Sequence, residues 1–548
     1  MQCPAAFARG RLTLVDSAEA ADETFGEQYR VRLDALLDAT AANVPFRVQG
    51  SANIEIAGIA FDTRRLAPGD LFVAVREANR DGHQFIADAV ARGAAAIVAE
   101  RQPNIPVAVP LLLVEHSKRA LAYLADAFYG QPSRHLRLIG VTGTDGKTTT
   151  CELTAHLLRQ GRRHCGFLTT VSFDLGLAPE ENRTRQSTQE APDIQAALSH
   201  MLANGCTSAV LEATSHALAL DRVTACAFDT AIITNVTHEH LDFHGTWEAY
   251  LAAKAHLLEL VMASSSSKPG RKTAILNRDD RSYSHLHQRF ALDEISYGLP
   301  GADVSAAQIT ESPDGTRFTL QTPWGSVDVH THLVGQFNVY NCLASATAAL
   351  VEGVDLHSVA ADLASAQPVA GRMERINEGQ PFQVIVDYAH TADSLEKVLR
   401  VLRTGTPGKL IAVFGSAGER DREKRPAMGA VAARLADYCV FTNEDPRRED
   451  AAAILDDIAA GALSAGAQWG REFSCLVERH DAIAHAFARA GVGDTVLLAG
   501  KGHEQCMFVG EEKRPWDDRA VARALLNGSR RPRIHATTPL TASGKTPR

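Results

Sequence analysis

The sequence has no paired cysteines, no excess of basic charge and no long apolar run. Its nine cysteines stand singly without a C-x-x-C pair, which argues against a zinc or redox dithiol site and favours a reducing cytoplasm. The formal net charge of −9 argues against a nucleic-acid-binding surface. No stretch is apolar enough to span a bilayer, and the first residues lack the apolar core of a signal peptide. We therefore expect small-molecule partners, no nucleic acid and no membrane insertion.

The length of 548 residues is too great for one hydrophobic core and predicts about three domains. Strand-like apolar runs alternate with helical patterns, which is typical of α/β domains. We predict a small α/β domain over residues 31–131, a central P-loop-type ATP-binding α/β domain over 134–366 and a C-terminal Rossmann-like α/β domain over 367–528. The polar segments 1–30 and 529–548 lack apolar periodicity and are expected to be disordered.

Short apolar runs bounded by polar or glycine-containing segments predict the strands. These runs cover residues 71–75, 95–98, 138–141, 208–212, 230–235, 383–386, 410–414, 438–442 and 495–499. Leucines at helical spacing predict helices after residue 150 and over residues 395–402.

The segment VTGTDGKTTT, residues 141–150, joins an apolar strand to a helical pattern. Its glycines allow backbone N–H groups to turn toward an anion, its lysine can reach the β and γ phosphates, and the following threonine can ligate Mg²⁺. The motif is shorter than the commonest P-loop, because Val141 occupies the position of the usual first glycine. The predicted ATP-binding residues of this loop are Gly143, Thr144, Asp145, Gly146, Lys147, Thr148 and Thr149.

A dense group of ligand-type side chains follows the strand predicted at 230–235. The segment THEHLDFHGT places His238, Glu239, His240 and His244 in one turn, and a helix carrying Lys254 comes next. Such a cluster at the carboxyl end of a strand favours a site over separate surface histidines. Glu212 closes the strand predicted at 208–212, and its carboxylate suits Mg²⁺, which prefers oxygen ligands.

These motifs resemble the Mur ligases, ATP-dependent amide-bond-forming enzymes of peptidoglycan and cell wall synthesis. The resemblance spans about residues 50–525 and is carried, in order, by GTDGKTTT, LEATSHALALDRV, TNVTHEHLDFHGT, GQFNVYN, GRMERI, VDYAHTADSLEKVL, FGSAGERDREKRPAMG, NEDPRRED and GKGHEQ. Within the family, DTRRLAPGDLFVAV, HLDFHGT, GRMER and GKGHE are most similar to the branch that adds the third amino acid to UDP-N-acetylmuramoyl-L-alanyl-D-glutamate.

The resemblance implies that ATP phosphorylates the γ-carboxylate of the D-glutamyl residue and that an amine then attacks the acyl phosphate. The implied catalytic residues are Lys147, Glu212, His240 and Lys254. The implied metal ligands are Thr148 and Glu212 for one Mg²⁺, and His240 with a carbamylated Lys254 for a second. A carbamate is an anionic oxygen ligand, whereas a free ammonium would repel the metal ion.

The same resemblance implies the other binding residues. Asn338, Asn341, Arg372 and Asp387 are expected to bind ATP, although an asparagine at such a position caps a helix equally often. The UDP-sugar peptide is expected at Thr63, Arg64, Thr188, Thr214, Ser215 and Arg222. The amino acid is expected at Arg420, Asp445, Pro446, Arg447, Gly500 and Glu504. We expect a cytoplasmic monomer.

The identity of the amino acid depends on one departure from the family pattern. The family motif D-N-P-R stands here as Glu444-Asp445-Pro446-Arg447. Arg447 and Arg420 suit the distal carboxylate of meso-2,6-diaminopimelate, whereas Asp445 and Glu504 suit an ammonium. Diaminopimelate carries both groups and is the favoured substrate, while L-lysine and L-ornithine stay open.

Three other classes of protein share part of these motifs. A folylpolyglutamate or cyanophycin-type ligase shares the P-loop, but the DTRRLAPGDLF segment fits a UDP-sugar binder better. A non-catalytic nucleotide-binding protein would be expected to have lost catalytic residues, and all four are present: Lys147, Glu212, His240 and Lys254. A motor-type or transport ATPase would hydrolyse ATP without ligation, and the GKGHE motif argues against it.

Overall fold

The computed structural model describes residues 30–77, 81–184, 186–237, 239–264, 268, 270–312 and 315–528. The predicted disordered segments 1–30, except Arg30, and 529–548 lie outside the described residues. The chain divides into two compact units. One takes in the described chain up to Ile309 with Arg317–Thr331 and Asn338–Ala366, and the other takes in Thr310–Thr316, His332–Phe337 and the chain from Gln367 onward.

The first unit begins with a five-stranded sheet in the order β2-β7-β6-β5-β4. Strands β4 to β7 are parallel and β2 is antiparallel to β7. The strands are β1 (Val31–Arg32), β2 (Arg47–Gln49), β3 (Glu55–Ile56), β4 (Gly58–Ala60), β5 (Asp70–Val73), β6 (Ala96–Ala99) and β7 (Leu111–Leu113), and the helices are α1 (Leu33–Thr40), α2 (Ile86–Ala91) and α3 (Ser117–Phe128). Strands β5 and β6 confirm the runs predicted at 71–75 and 95–98, and they are buried throughout, as expected of parallel strands covered on both faces.

An eleven-stranded sheet follows in the order β11-β10-β9-β12-β8-β13-β14-β15-β16-β17-β18. Its strands are β8 (Arg137–Thr142), β9 (Cys165–Leu168), β10 (Ser172–Asp174), β11 (Glu180–Glu181), β12 (Ser208–Glu212), β13 (Thr230–Ile233), β14 (Thr273–Asn277), β15 (Asp293–Gly298), β16 (Val304–Ser312), β17 (Gly315–Thr322) and β18 (Gly325–Thr331). Its helices are α4 (Lys147–Gln160), α5 (Ala191–Ala203), α6 (Ser215–Ala219), α7 (Leu241–His244), α8 (Trp247–Ala263), α9 (Tyr283–Leu286), α10 (Gln336–Val351) and α11 (Leu356–Ser365).

The centre of this sheet positions the candidate site. Strand β8 lies between β12 and β13 and is parallel to both. In the register, Val141 pairs with Glu212 and Thr142 pairs with Ile233, so the three strands end at the same edge. Ligands of open parallel sheets bind outside the carboxyl ends of the strands, and the TGTDGK loop and the His-rich turn both begin there.

The second unit contains a six-stranded sheet in the order β19-β20-β24-β21-β22-β23, parallel except for β19. Its strands are β19 (Glu374–Ile376), β20 (Gln383–Asp387), β21 (Leu410–Phe414), β22 (Tyr438–Phe441), β23 (Phe473–Cys475) and β24 (Thr495–Ala499), and a hairpin of β25 (Cys506–Val509) and β26 (Glu512–Pro515) follows. Its helices are α12 (Ala392–Gly405), α13 (Lys424–Leu435), α14 (Ala451–Ser464), α15 (Arg479–Arg489) and α16 (Asp518–Leu526). The four strands predicted here are confirmed.

The last turn of helix α3 carries a buried carboxyl group, Asp126, that makes the free energy of unfolding depend on pH. Asp126 is 2% exposed, and its Oδ1 atom is buried with no hydrogen-bond partner among the described residues. Burial raises the pKa of Asp126 to about 7, because a low-dielectric environment disfavours the charged form. Between the unfolded pKa and about 7 the folded state binds the additional proton, so stability falls as pH rises through this interval.

We expect Asp126→Asn to stabilise the protein more at pH 8.5 than at pH 5, because at pH 5 the carboxyl group is still neutral in the folded state and only part of the pH-dependent loss of stability has occurred. The gain at high pH has an upper bound of roughly 4 kcal/mol, the free energy that corresponds to a shift of this size. Thermal unfolding midpoints at the two pH values measure it, with the exposed Asp38→Asn as the control. An equal effect of Asp126→Asn at both pH values would contradict the assignment.

No helix in the part of the chain that the structure describes combines the length and the apolar character needed to cross a membrane.

Candidate functional site

The phosphate loop, residues 143–148, connects β8 to the first turn of α4. All six residues of β8 are buried, so the preceding strand is fixed in the core. Gly146 has a φ of +81°, a left-handed conformation that favours glycine. A Cβ atom on Gly146 would also collide with Oδ1 of Asn341. Both observations explain why glycine stands immediately before the helix.

Asn235, at the end of the neighbouring strand region, holds the loop in shape. Its carbonyl accepts a hydrogen bond from Thr144 N at 2.7 Å, and its Oδ1 accepts one from Asp145 N at 2.9 Å. Thr234 Oγ1 donates to the carbonyl of Asp145 at 2.7 Å. The loop is therefore fixed before any ligand binds, which reduces the ordering that binding must impose.

Lys147 and Thr148 are the first two residues of α4. Lys147 is half-buried and its Nζ donates to the carbonyl of Thr144 at 2.7 Å, which holds the ammonium over the loop. Thr148 Oγ1 donates to Glu212 Oε2 at 2.9 Å. The same carboxylate oxygen accepts from Thr170 N at 3.0 Å. The structure thus brings the predicted threonine and glutamate together at the N-terminus of a helix, where the backbone favours anions.

Lys254, in the middle of α8, is buried against the phosphate loop. Its side chain is 1% exposed, and Nζ donates to the carbonyl of Gly143 at 2.6 Å. Nζ also lies 4.3 Å from the ring centroid of Tyr250, one helical turn earlier. Burial, followed by the positive charge of Lys147, lowers the pKa of Lys254 well below its usual value. Burial therefore disfavours the charged ammonium at this position.

His240 lies at the start of α7 in a left-handed conformation, with a φ of +55°. Its ring centroid is 4.7 Å from that of His216 and 6.2 Å from that of Tyr250. His240 and Lys254 therefore lie near the same tyrosine ring. His238, predicted in the same turn, lies outside the described residues.

Asn338 and Asn341 are buried within the first two turns of α10. Asn341 Nδ2 donates to Asn338 Oδ1 at 3.0 Å, and Asn341 Oδ1 accepts from Thr150 Oγ1 at 3.3 Å. Neither residue is at the N-cap position, so the alternative interpretation of these asparagines as helix caps is wrong. They link α10 to the helix that follows the phosphate loop.

The residues predicted to bind the UDP-sugar peptide lie in two segments of the first unit. Around the end of β12, Thr188 Oγ1 contacts Thr214 Oγ1 at 3.3 Å, and Arg222 Nη1 donates to the carbonyl of Thr188 at 3.0 Å. Ser215 Oγ is 3.1 Å from Nε2 of His244. The structure therefore gathers four of the six predicted residues at one strand end.

Thr63 and Arg64 lie between β4 and β5 of the five-stranded sheet. Thr63 is buried and Arg64 is exposed, with its guanidinium paired to Asp62. The next residue, Arg65, is 2.7 Å from Asp193 in the first turn of α5. This ion pair joins the DTRR segment to the helix that begins three residues after Thr188.

Two of the predicted ATP-binding residues belong to the second unit. Asp387, the last residue of β20, accepts from Met373 N through Oδ2 and from Ala389 N through Oδ1, both at 2.8 Å. The guanidinium of Arg372 lies 4.5 Å from the ring centroid of Tyr388, a cation–π distance. The structure thus places both residues beside the carboxyl end of β20.

Within the predicted amino-acid pocket, a buried lysine links two carboxylates. Lys501 is 0% exposed, and its Nζ donates to Asp445 Oδ1 at 2.9 Å and forms an ion pair with Glu504. Asp445 Oδ1 also accepts from Phe508 N at 2.9 Å. Asp445 and Glu504 therefore share the positive charge of Lys501.

The remaining pocket residues occupy the ends of three neighbouring strands. Arg420 is exposed beyond β21 and Pro446 is buried beyond β22. Arg447 has a φ of +53°, and its backbone N–H donates to the carbonyl of Phe508 at 3.0 Å. Gly500 follows β24 with a φ of +100°, a backbone conformation that favours glycine, and a Cβ atom there would lie 2.6 Å from the carboxylate of Glu444.

The sequence interpretation missed residues that act through tertiary contacts. Tyr250 bonds to Thr144 Oγ1 through its hydroxyl at 3.1 Å and contacts Lys254 with its ring. Its position four residues before Lys254 on a predicted helix was a usable signal, since residues at that spacing share a helix face. Asn235 and Lys501 carried no comparable local signal.

Hard oxygen donors dominate the phosphate-loop site. Within the described ranges, no group of three His, Cys, Asp or Glu side chains is arranged to hold a metal ion. The buried hydroxyl of Thr148 beside the carboxylate of Glu212 matches the pattern of Mg²⁺, which takes few protein ligands and keeps several waters.

The fold and the phosphate loop define a P-loop protein of the α/β class. Family models match in chain order: "Mur ligase family, catalytic domain" over residues 55–129, "Mur ligase middle domain" over 141–349 and "Mur ligase, glutamate ligase domain" over 371–502.

Relatives in other bacteria match most of the chain. A Roseiflexus protein named UDP-N-acetylmuramyl-tripeptide synthetase is 48% identical over 86% of this chain and 95% of its own length. A Bacillus cereus protein named UDP-N-acetylmuramoyl-L-alanyl-D-glutamate–2,6-diaminopimelate ligase is 42% identical, with coverage of 88% and 96%. The chain belongs to the Mur ligase family.

Solved structures share the fold. The structure of a UDP-N-acetylmuramoyl-L-alanyl-D-glutamate–2,6-diaminopimelate ligase is 30% identical, with a TM-score of 0.61 over 89% of this chain and 98% of that chain. The MurF ligase of Thermotoga maritima in complex with ADP is 23% identical, with a TM-score of 0.58 over 81% and 93%. At that identity the second likeness concerns the fold alone.

Proposed function

We propose that this protein is an ATP-dependent ligase that joins meso-2,6-diaminopimelate to UDP-N-acetylmuramoyl-L-alanyl-D-glutamate in peptidoglycan precursor synthesis. The observation that carries the proposal is the contact of Glu212 with Thr148 beside Lys147 at the end of the central sheet. Its substrate class follows from relatives that are 38–43% identical and are named as diaminopimelate ligases.

Phosphoryl transfer to the γ-carboxylate of the D-glutamyl residue would give an acyl phosphate and ADP. The amine of the diamino acid would then attack the acyl carbon, and phosphate would leave. Such transfer depends on positioning and on charge stabilisation. Lys147 would supply a fixed positive charge, and the backbone N–H groups at the start of α4 would be available to the phosphates.

Thr148 and Glu212 would hold one Mg²⁺, and His240 with a carbamylated Lys254 would hold a second. The metal ions, when bound, would neutralise phosphate charge. The buried oxygen pair of Thr148 and Glu212 supports the first assignment. The buried position of Lys254, which lowers the pKa of its amine, supports the second, because only an uncharged amine reacts with CO₂ to form a carbamate.

The other predicted residues are assigned to the substrate that each would bind. Gly143, Asp145, Thr149, Asn338 and Asn341 would bind ATP in the first unit. Arg372 and Asp387 are further candidates for binding ATP. Thr63, Arg64, Thr188, Thr214, Ser215 and Arg222 would bind the UDP-sugar peptide. The eight described cysteines are free thiols. Free thiols and the use of ATP as a substrate both fit a cytoplasmic location.

Charge in the amino-acid pocket favours diaminopimelate over lysine and ornithine. Because Lys501 lies between Asp445 and Glu504, these carboxylates are partly neutralised and attract a bare ammonium less strongly. The guanidinium groups of Arg447 and Arg420 are suited to a distal carboxylate, which only diaminopimelate of the three candidates carries.

Product mass tests the proposal. The purified protein is given ATP, the UDP-linked dipeptide and one of meso-diaminopimelate, L-lysine or L-ornithine, and each product is weighed by mass spectrometry. We expect a diaminopimelate adduct that requires ATP. A lysine or ornithine adduct would refute the pocket assignment, and consumption of ATP without any adduct would refute the ligase branch.

A further inference from the structure

A buried arginine of the second unit links the two loops that form the proposed amino-acid pocket. Arg479 and Asp518 both have side chains that are 0% exposed. Arg479 Nε lies 2.8 Å from Asp518 Oδ1, and Nη2 lies 2.6 Å from Oδ2. This buried ion pair is bidentate, and its two parallel hydrogen bonds fix the plane of the guanidinium group.

The same guanidinium donates to two backbone carbonyls, one just beyond the end of β22 and one at the last residue of β24. Nη1 donates to the carbonyl of Asn443 at 3.0 Å, and Nη2 donates to that of Ala499 at 2.8 Å. Asn443 immediately precedes the EDPR loop, residues 444–447, and Ala499 immediately precedes the GKGHE loop, residues 500–504. In the sheet, β21 separates the strands that lead into these loops. Arg479 therefore connects loops that do not follow neighbouring strands.

The acceptor of the ion pair is itself tied to the end of the GKGHE loop. Trp516 Nε1 donates to Asp518 Oδ1 at 2.8 Å, and Trp516 N donates to the carbonyl of Gln505 at 2.9 Å. Asp518 is the first residue of α16, and Arg479 is the first residue of α15. The first residues of α15 and α16 thus together hold the EDPR and GKGHE loops.

We propose that Arg479, held by Asp518, is a positioning residue that fixes the spacing of the EDPR and GKGHE loops and thereby sets the affinity for the amino-acid substrate. The inference rests on the proposed function, in which these loops bind the amino acid. Arginine is required because its planar fork serves a carboxylate and two carbonyls at once, whereas lysine offers a single charged nitrogen.

The main test uses the double variant Arg479→Met, Asp518→Leu. Replacing a buried ion pair by apolar residues of similar size often preserves the fold, but it removes the donors to Asn443 and Ala499. We expect faster hydrogen–deuterium exchange in peptides that cover both loops. We also expect the KM for the amino acid to rise roughly 10-fold or more, since small misplacements at a site have large effects, with the KM for ATP nearly unchanged.

Arg479→Lys is the second variant, because it keeps the charge opposite Asp518 and protects folding. It is expected to lie between the wild type and the double variant in loop exchange and in the KM for the amino acid. Arg137→Met is the matched control. Arg137 is a buried arginine of the first unit that pairs with Glu352 and donates to a carbonyl, and its loss is expected to leave both loop exchange and the KM for the amino acid unchanged.

Unchanged exchange in both loops of a folded variant would overturn the inference, as would equal rises in the KM for ATP and for the amino acid. The exchange measurement does not depend on ligation. If the wild type consumed ATP without joining any amino acid, the proposed function would fail while the exchange data would still decide whether Arg479 fixes the loops.

Discussion

Replacing Lys147 by alanine is expected to abolish ligation. Lys147 Nζ is held at 2.7 Å from the carbonyl of Thr144, so the ammonium stays over the loop without needing a ligand to order it. Loss of a fixed charge aimed at a transferring phosphoryl group lowers the rate by roughly 10³-fold or more. We expect kcat/KM for ATP in product formation to fall by that factor.

The control for Lys147→Ala is Lys397→Ala, a lysine that pairs with Asp393 on the exposed face of α12. Its loss is expected to leave ligation within about twofold of the wild type, since exposed ion pairs contribute little. Thermal unfolding establishes that both variants are folded. A folded Lys147→Ala protein with more than a tenth of the wild-type activity would remove Lys147 from the catalytic residues.

The features that could be predicted from the sequence are those that depend on neighbours along the chain. The phosphate loop is one, because the apolar residues before it and the glycines within it specify a strand, a turn and a helix start locally. Strands β12, β21 and β24 have the predicted bounds, since each is a short apolar run between polar segments. The pairing of Glu212 with Val141 could only be expected in general terms, from the rule that neighbouring parallel strands end together.

Other parts of the site depend on residues that are distant in sequence. Asn341 reaches Thr150 across 191 positions, and Lys501 reaches Asp445 across 56. No local pattern specifies such contacts, because packing of whole helices and strands brings these side chains together. For the same reason the sequence could not show whether the carboxylate of Asp445 is available to a substrate ammonium. In the structure that carboxylate is paired with Lys501.

Replacing Lys254 by alanine is expected to reduce ligation strongly and to make it respond to added short carboxylates. The side chain is 1% exposed beside the phosphate loop, and burial lowers its pKa well below the usual value, so that the uncharged amine is available. Attack of that nitrogen on CO₂ would form an N–C bond and release a proton, which would give an anionic carbamate in the position proposed for a metal ligand.

In Lys254→Ala the truncated side chain leaves space in which acetate or propionate can supply the missing carboxylate. We expect kcat/KM to fall by roughly 10²-fold or more, as for the loss of one group that stabilises transition-state charge, and to recover in part as the carboxylate concentration rises. Lys147→Ala is the matched control. This variant lacks the ammonium group at the phosphate loop, and an added carboxylate cannot replace a positive charge. Equal responses of the two variants to acetate, or none in Lys254→Ala, would exclude the carbamate and leave Lys254 as an amine bonded to Gly143.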